Sequence, residues 1–285
     1  MALVTSQQLT RYYNTYKSIS VTYTKEIVKA IGLQVQNVFL KCLGEQWPCV
    51  LYSSSFESAK ILAPNRPVLL EKIAKANNLI SIRLAFKLSE NSEPVMFFIS
   101  GRASGFSPYT QSDGTLHFIN MQFTQRPPDD FVEILGRMLE ANVNSKRRAD
   151  ERILITPDVM RRISLAQKET TILVEAVPRR CIVRDLSFTG AKVIIVGIAK
   201  FLIGKSVTLR LEMEDPRETL AISGKVVRYE NVENRKDLAA IAINFDEDRV
   251  PMSYKMHIND YIGQKKGPDE AADTNKEGPA PSTGS

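Results

Sequence analysis

Between residues 170 and 245 the chain reads as a succession of short strand-like runs, at 170–176, 180–185, 191–196, 206–212, 220–229 and 238–245. Gly, Pro and charged turns join them. Short strands at this spacing fit a small antiparallel barrel, because closure leaves few exposed edges. A strand is also expected at 153–155. At 251–262, Tyr254, Ile258, Tyr261 and Ile262 fall on one side, which reads as a helix closing the barrel.

At 285 residues the chain is longer than one average domain needs, and its first half has a pattern of its own. Leu9, Tyr12, Tyr13 and Tyr16 give residues 7–16 the spacing of a short amphipathic helix. Strands are expected at 50–52, 61–62, 80–88, 95–99 and 116–123, with a helical turn at 67–77. A Pro-, Ser- and Gly-rich stretch, 101–114, reads as the separator of the last two strands. After Pro127 and Pro128 the period becomes helical. Asp129 or Asp130 can cap a helix in which Phe131, Ile134, Leu135, Met138 and Leu139 share one face, ending near 142–144.

The expected division is a β-rich domain at 1–142, an interdomain connector at 143–152, a β-barrel domain at 153–262 and a tail at 263–285. The tail has no large apolar residue, so it cannot bury a core and is expected to be disordered. The fold class is mainly β with α additions (α+β).

Composition excludes several classes. No apolar run reaches the length of a membrane span, and the first residues lack the basic and apolar regions of a secretory signal. Cys42, Cys49 and Cys181 are odd in number and widely spread, which argues against a disulfide framework and suits the cytoplasm. They read as small buried hydrophobes. His117 and His257 fall in different halves at no metal-ligand spacing. The chain has no Gly-x-Ser-x-Gly, phosphate loop or paired catalytic carboxylates. An enzyme, a metal and a resident cofactor are therefore not expected. The formal charge of +6 favours an anionic partner.

Two short elements carry the chemistry. The first is an Arg-x-x-x-Arg, Arg148 to Arg152; the second, about 30 residues on, is an Asp-x-Ser-x-x-Gly made of Asp185, Ser187 and Gly190. Each alone is a common composition, a charged linker and a polar turn. Together, in this order and directly before and within a barrel pattern, they resemble the signature of PilZ domains, bacterial receptors for cyclic di-GMP. The resemblance covers roughly 146–262. It implies a PilZ antiparallel barrel with cyclic di-GMP as ligand, bound by Arg147, Arg148, Arg152, Asp185, Ser187 and Gly190. The chemistry of each position agrees. Arginine offers a planar fork of donors to a phosphate or to a guanine O6/N7 edge. An ionised Asp185 accepts from guanine N1–H and N2–H₂ and lacks those partners on adenine. Ser187 donates or accepts at close range, and Gly190 allows close backbone approach. Arg147, just before the pair, resembles the arrangement that holds an intercalated pair of ligands, because a further guanidinium can stack on a base and offset charge.

In many PilZ domains the last core strand has a Gly where this chain has Ala239 and Ala240, which leaves that strand's alignment open. The N-terminal half lacks the paired elements and suits a PilZ-like barrel without the ligand motif, as in two-domain PilZ receptors. The implied function is that of a receptor. Ligand clamps the connector arginines against the barrel, reorients the two domains, and presents a new surface to a downstream protein partner. The alternatives are a nucleic-acid-binding module, suggested by charge although the sequence has no aromatic stacking motif like that of an RNA-recognition sheet, and a ligand-free adaptor.

Overall fold

Polar caps start the first helices of the computed structural model, which describes residues 4–110, 114–148, 151–197 and 199–265. Thr5 accepts from the Gln8 N–H at 3.2 Å and opens α1 (Ser6–Tyr16), satisfying one of the donors that a helix start leaves unpaired. Thr24 does the same for α2 (Lys25–Ala30), which follows β1 (Val21–Thr22). The chain continues through β2 (Phe39–Cys42), β3 (Glu45–Pro48), β4 (Val50–Ser54), β5 (Ser58–Pro64), α3 (Pro67–Lys75), β6 (Leu79–Phe86), β7 (Val95–Pro108), β8 (Leu116–Phe123) and α4 (Asp129–Arg147). The eight strands form one sheet in the order β1-β4-β5-β8-β7-β6-β2-β3. It stays open, a half-barrel and not a closed one. Its concave face packs on α4, whose Phe131, Ile134, Leu135, Met138 and Leu139 are all buried.

Three features depart from the sequence pattern. The 101–114 stretch is not a loop throughout: β7 runs to Pro108, because Gly101 to Pro108 pair with Phe123 to His117 of β8 and a bulge near Ser104 absorbs the irregularity. Pairing across the sheet outweighs the poor strand propensity of Gly, Ser and Pro. Asp129 and Asp130 do not cap α4; Pro128 holds the cap position and both acids lie in the first turn, where the helix dipole favours negative charge. Finally, α4 extends through Arg147, with Lys146 and Arg147 in its last turn at the negative end of the dipole. The expected connector 143–152 is therefore helical in its first part. Elements α2, β1, β2 and β3 were not legible because two- to six-residue segments are too short for a period to register.

The second half opens with β9 (Ile153–Leu154) and α5 (Pro157–Arg162), capped by Thr156. Then come β10 (Glu169–Val174), β11 (Val177–Leu186), β12 (Gly190–Val196), β13 (Ser206–Glu214), β14 (Arg217–Val232) and β15 (Arg235–Phe245). They run β10-β13-β14-β15-β12-β11, and β10 pairs again with β11, which closes a six-stranded barrel. Ala239 and Ala240, where many PilZ domains have Gly, pair with Ile195 and Ile194 in the β12–β15 ladder. Helix α6 (Met252–Lys265) buries Tyr254, Ile258, Tyr261 and Ile262 against the barrel. Residues 263–265, expected to begin a disordered tail, are instead the last turn of α6, because the helix runs past its apolar stripe; from 266 onward the expected tail lies outside the described residues.

Helix α6 also joins the halves. The Met252 N–H at its start donates to Glu26 Oε1 of α2 at 2.8 Å, so an acid from one half satisfies a helix N-terminus in the other. Asn144 Nδ2 of α4 donates to Asn259 Oδ1 at 2.7 Å, and Arg137 pairs with Asp260. In addition, the Glu90 N–H donates to Asp215 Oδ1 at 3.0 Å and the Arg217 N–H to Glu90 Oε1 at 3.3 Å.

Within the first half, α1 meets α4 at Gly136, where an added Cβ would stand 2.4 Å from the Tyr12 ring. Gly136→Ala is expected to lower stability by roughly 1–3 kcal/mol through overpacking, despite the better helix propensity of Ala. Chemical denaturation of the two proteins checks this; equal midpoints would contradict the close packing.

Candidate functional site

The 185–190 turn is built by hydrogen bonds that leave little of it free. Leu186 and Phe188 are buried and anchor it in the barrel. The Ser187 N–H and hydroxyl both donate to the Gly190 carbonyl, at 2.8 Å and 3.2 Å. The Phe245 N–H donates to the Thr189 carbonyl at 2.8 Å, tying the turn to β15. From inside, the Tyr254 hydroxyl of α6 donates to the Ser187 carbonyl at 2.7 Å. Burial, with Asp185 close by, holds this phenol far above its ordinary range, so it remains a donor.

Asp185 sits at the end of β11, between Leu154 of β9 and Lys192 of β12, just after a bulge that follows Val183. Bulges re-aim side chains. The Asp185 carboxylate accepts from Arg152 Nη1 at 2.6 Å. Its side chain is 14% exposed and that of Arg152 45%, so the contact is a charge-assisted bond at a wet edge. Such a pair adds at most about 1 kcal/mol to stability. Its value is positional: it holds a guanidinium fork beside an acceptor-only carboxylate.

Of the six residues that the sequence singles out, then, the fold brings Arg152 and Asp185 into contact. Ser187 and Gly190 meet each other in the turn, but both are used within the protein. Ser187 is 1% exposed, with its hydroxyl bonded locally, and a Cβ on Gly190 would lie 2.3 Å from the Ile243 carbonyl oxygen. The close approach that Gly190 permits is thus to β15. Arg148 caps the C-terminus of α4, its N–H donating to Asn144 O at 2.8 Å. Its side chain lines a cleft of about 1470 Å³ between the two halves, together with Arg161 and Arg162 of α5, Arg137 and Glu140 of α4, and Asp260 of α6. Arg147 is exposed on the last turn of α4. Tyr254, Arg161 and Arg162 escape sequence reasoning: the tyrosine looks like one member of a core stripe, and the arginines look like solvated charge.

Among the described residues, His, Cys, Asp and Glu gather in no cluster that could hold a metal ion. Burial pushes the thiols of Cys49 and Cys181 up to about 12, so neither offers a thiolate. Among the described residues no helix is long and apolar enough to cross a membrane.

The chain is similar to known proteins along most of its length. A PilZN3 domain model matches residues 7–142 and a PilZ domain model matches residues 146–264. A cyclic di-GMP binding protein of Treponema denticola is 44% identical over 268 residues, covering 94% of this chain and 85% of that protein. Among solved structures, the PlzA protein of Borreliella burgdorferi in complex with c-di-GMP is 25% identical, with a TM-score of 0.41 over 90% of this chain and 98% of that one. YcgR of Escherichia coli in complex with c-di-GMP is 13% identical, with a TM-score of 0.29 over 87% and 93%.

Two substitutions read the turn's internal bonding. Gly190→Ala, which must displace β15, and Tyr254→Phe, which strips a buried carbonyl of its donor, are each expected to cost about 1–3 kcal/mol of stability. Thermal melting checks both; a Gly190→Ala protein that melts like the parent would mean that this glycine is not held against β15.

Proposed function

The chain belongs to the PilZ family, with a PilZN3 domain ahead of its PilZ domain, and from that premise we propose that it is a cyclic di-GMP receptor acting by binding and not by catalysis. The observation that carries this reading is the Arg152–Asp185 contact at 2.6 Å. It joins the two sequence elements, and it pairs a fork of donors with an acceptor-only group. A guanine needs both: donors for O6 and N7, acceptors for N1–H and N2–H₂.

In this reading Asp185 takes a guanine edge and Arg148 and Arg152 take phosphate or the Hoogsteen edge. Ser187 and Gly190 hold the turn in shape beneath the ligand. Arg147, exposed on the last turn of α4, stacks on a second ligand and offsets its charge, so that an intercalated pair is bound. The chain divides into an N-terminal domain at 1–142, a connector at 143–152 and the barrel domain at 153–262, and it works in the cytoplasm.

Signalling follows from the connections of α4. Its C-terminus carries Arg147 and Arg148, while its side chains Arg137, Glu140 and Asn144 contact Asp260 and Asn259 of α6. Ligand that draws the arginines toward the 185–190 turn pulls on the end of a helix that is bonded to the barrel's own closing helix. The domain arrangement in which all ligand contacts are made is favoured over the others by its differential affinity. The output is a changed surface offered to a downstream protein.

Titration calorimetry with cyclic di-GMP, with cyclic di-AMP as control, tests the reading. Arg148→Ala and Arg152→Ala are each expected to weaken binding by at least about tenfold, the order of one bidentate contact, with the barrel still folded. Asp185→Ala is expected to weaken guanine binding and narrow the preference over adenine. Arg147→Ala is expected to lower the stoichiometry from two to one. Unchanged affinity in both the Arg148 and Arg152 variants would sink the receptor model.

A further inference from the structure

The convex side of the N-terminal sheet presents a chemistry that no single stretch of sequence reveals. Strand alternation turns Leu40, Ile82, Phe97, Ile99, Ile61 and Ile119 into the core, and their neighbours outward. Cross-strand register then sets Phe39 of β2 opposite Arg83 of β6, and Arg83 opposite Phe98 of β7. The Arg83 guanidinium lies 5.3 Å from the Phe39 ring centre, and Lys41 Nζ lies 4.5 Å from that of Phe98. A second cluster forms farther along the sheet. Lys60 Nζ of β5 stands 4.1 Å from the ring of Phe118 in β8 and 5.5 Å from that of Tyr52 in β4. The two rings meet edge to face at 5.0 Å. Arg102, opposite Gln122, lies between the clusters.

Charge on this face is one-sided. The outward positions of β2, β4, β5, β6, β7 and β8 include Lys41, Lys60, Arg83 and Arg102, and no Asp or Glu. Among the described residues none of the four cations pairs with a carboxylate. Phe98 is 47% exposed and Tyr52 40%, while Phe39 and Phe118 are half-buried. Arg102 donates to the Asn77 carbonyl at 2.9 Å and Arg83 to Met96 Sδ at 3.4 Å, contacts that leave their charge unneutralised. Aromatics on a sheet with cations that no carboxylate neutralises are the elements of a platform on which bases stack while the backbone is neutralised. The ligand must be long and anionic. From Phe98 to Ser107, which faces Phe118, β7 rises roughly 30 Å at about 3.3 Å per residue, more than a mononucleotide spans. It must also offer free base faces, which a duplex hides within its stack.

We propose that the convex face of the N-terminal sheet binds single-stranded nucleic acid. Bases stack on Phe39 and Phe98 at one end and on Phe118 and Tyr52 at the other, and Lys41, Lys60, Arg83 and Arg102 neutralise phosphates. The cations now lying over the rings move aside to the backbone or sandwich the bases. The site is separate from the 185–190 turn, so the proposal does not rest on the cyclic di-GMP reading.

Fluorescence anisotropy of the full chain with labelled single-stranded oligonucleotides, and with the same sequences as duplex, tests it. Single strands are expected to bind in preference to duplex, with affinity falling steeply as salt rises. Phe98→Ala with Phe118→Ala is expected to cost at least tenfold in affinity while keeping the salt slope. Lys41→Gln, Lys60→Gln, Arg83→Gln and Arg102→Gln combined are expected to flatten the slope by about 3, at about 0.7 per phosphate contact on a single strand. Phe98→Tyr is expected to retain binding, and circular dichroism checks that each variant is folded. Absence of binding at low salt, equal affinity for duplex, or binding indifferent to both sets of substitutions overturns the proposal. Competition by polyglutamate as effective as by oligonucleotide, with no loss on removing the rings, would instead assign the face to an acidic protein surface.

Discussion

The hydrogen bond from the Tyr254 hydroxyl to the Ser187 carbonyl is the contact on which the rest of this architecture depends. It is buried and short, so losing it would leave a carbonyl unsatisfied in the core. Through it the closing helix α6 fixes the shape of the 185–190 turn, and the turn fixes the position of Asp185. On its other flank α6 is bonded to α4, at whose end Arg147 and Arg148 stand. One helix thus determines both where the carboxylate lies and where two of the arginines begin.

The balance of forces differs between the two sides of α6. Toward the barrel it buries Tyr254, Ile258, Tyr261 and Ile262, and removing several large side chains from water makes that seam permanent. Toward the N-terminal half, Met252 and Met256 pack on the N-terminal core beside three polar bonds: Asn144 to Asn259, Arg137 to Asp260, and the Met252 N–H to Glu26. Polar contacts exchange with water at small net cost, about 1 kcal/mol each.

Much of the fold is legible in the chain itself. All six barrel strands and the closing helix follow from alternation and spacing, because a barrel strand with one face in the core must repeat every second residue. The stripe of α4 is equally plain, since helix and core together impose its period. Short elements such as β2 and β3 do not register, and β7 runs on through Gly, Ser and Pro because β8 supplies its hydrogen bonds. Of the site, the motif residues are visible and their division of labour is not. Sequence assigns Ser187 and Gly190 to a ligand, while the fold spends the hydroxyl on the Gly190 carbonyl and the missing Cβ on β15.

By itself, then, the sequence determined the fold class, the barrel and its closing helix, and the arginines and the aspartate of the two motifs. Only the tertiary structure decided that Arg152 meets Asp185, that Arg148 opens on the cleft between the halves, and that Phe39, Arg83 and Phe98 form one row across three strands. The physical reason is the range of the interactions. Period and turn chemistry are properties of neighbours in the chain, whereas a cross-strand row or a contact between halves exists only once register and packing have brought distant residues together.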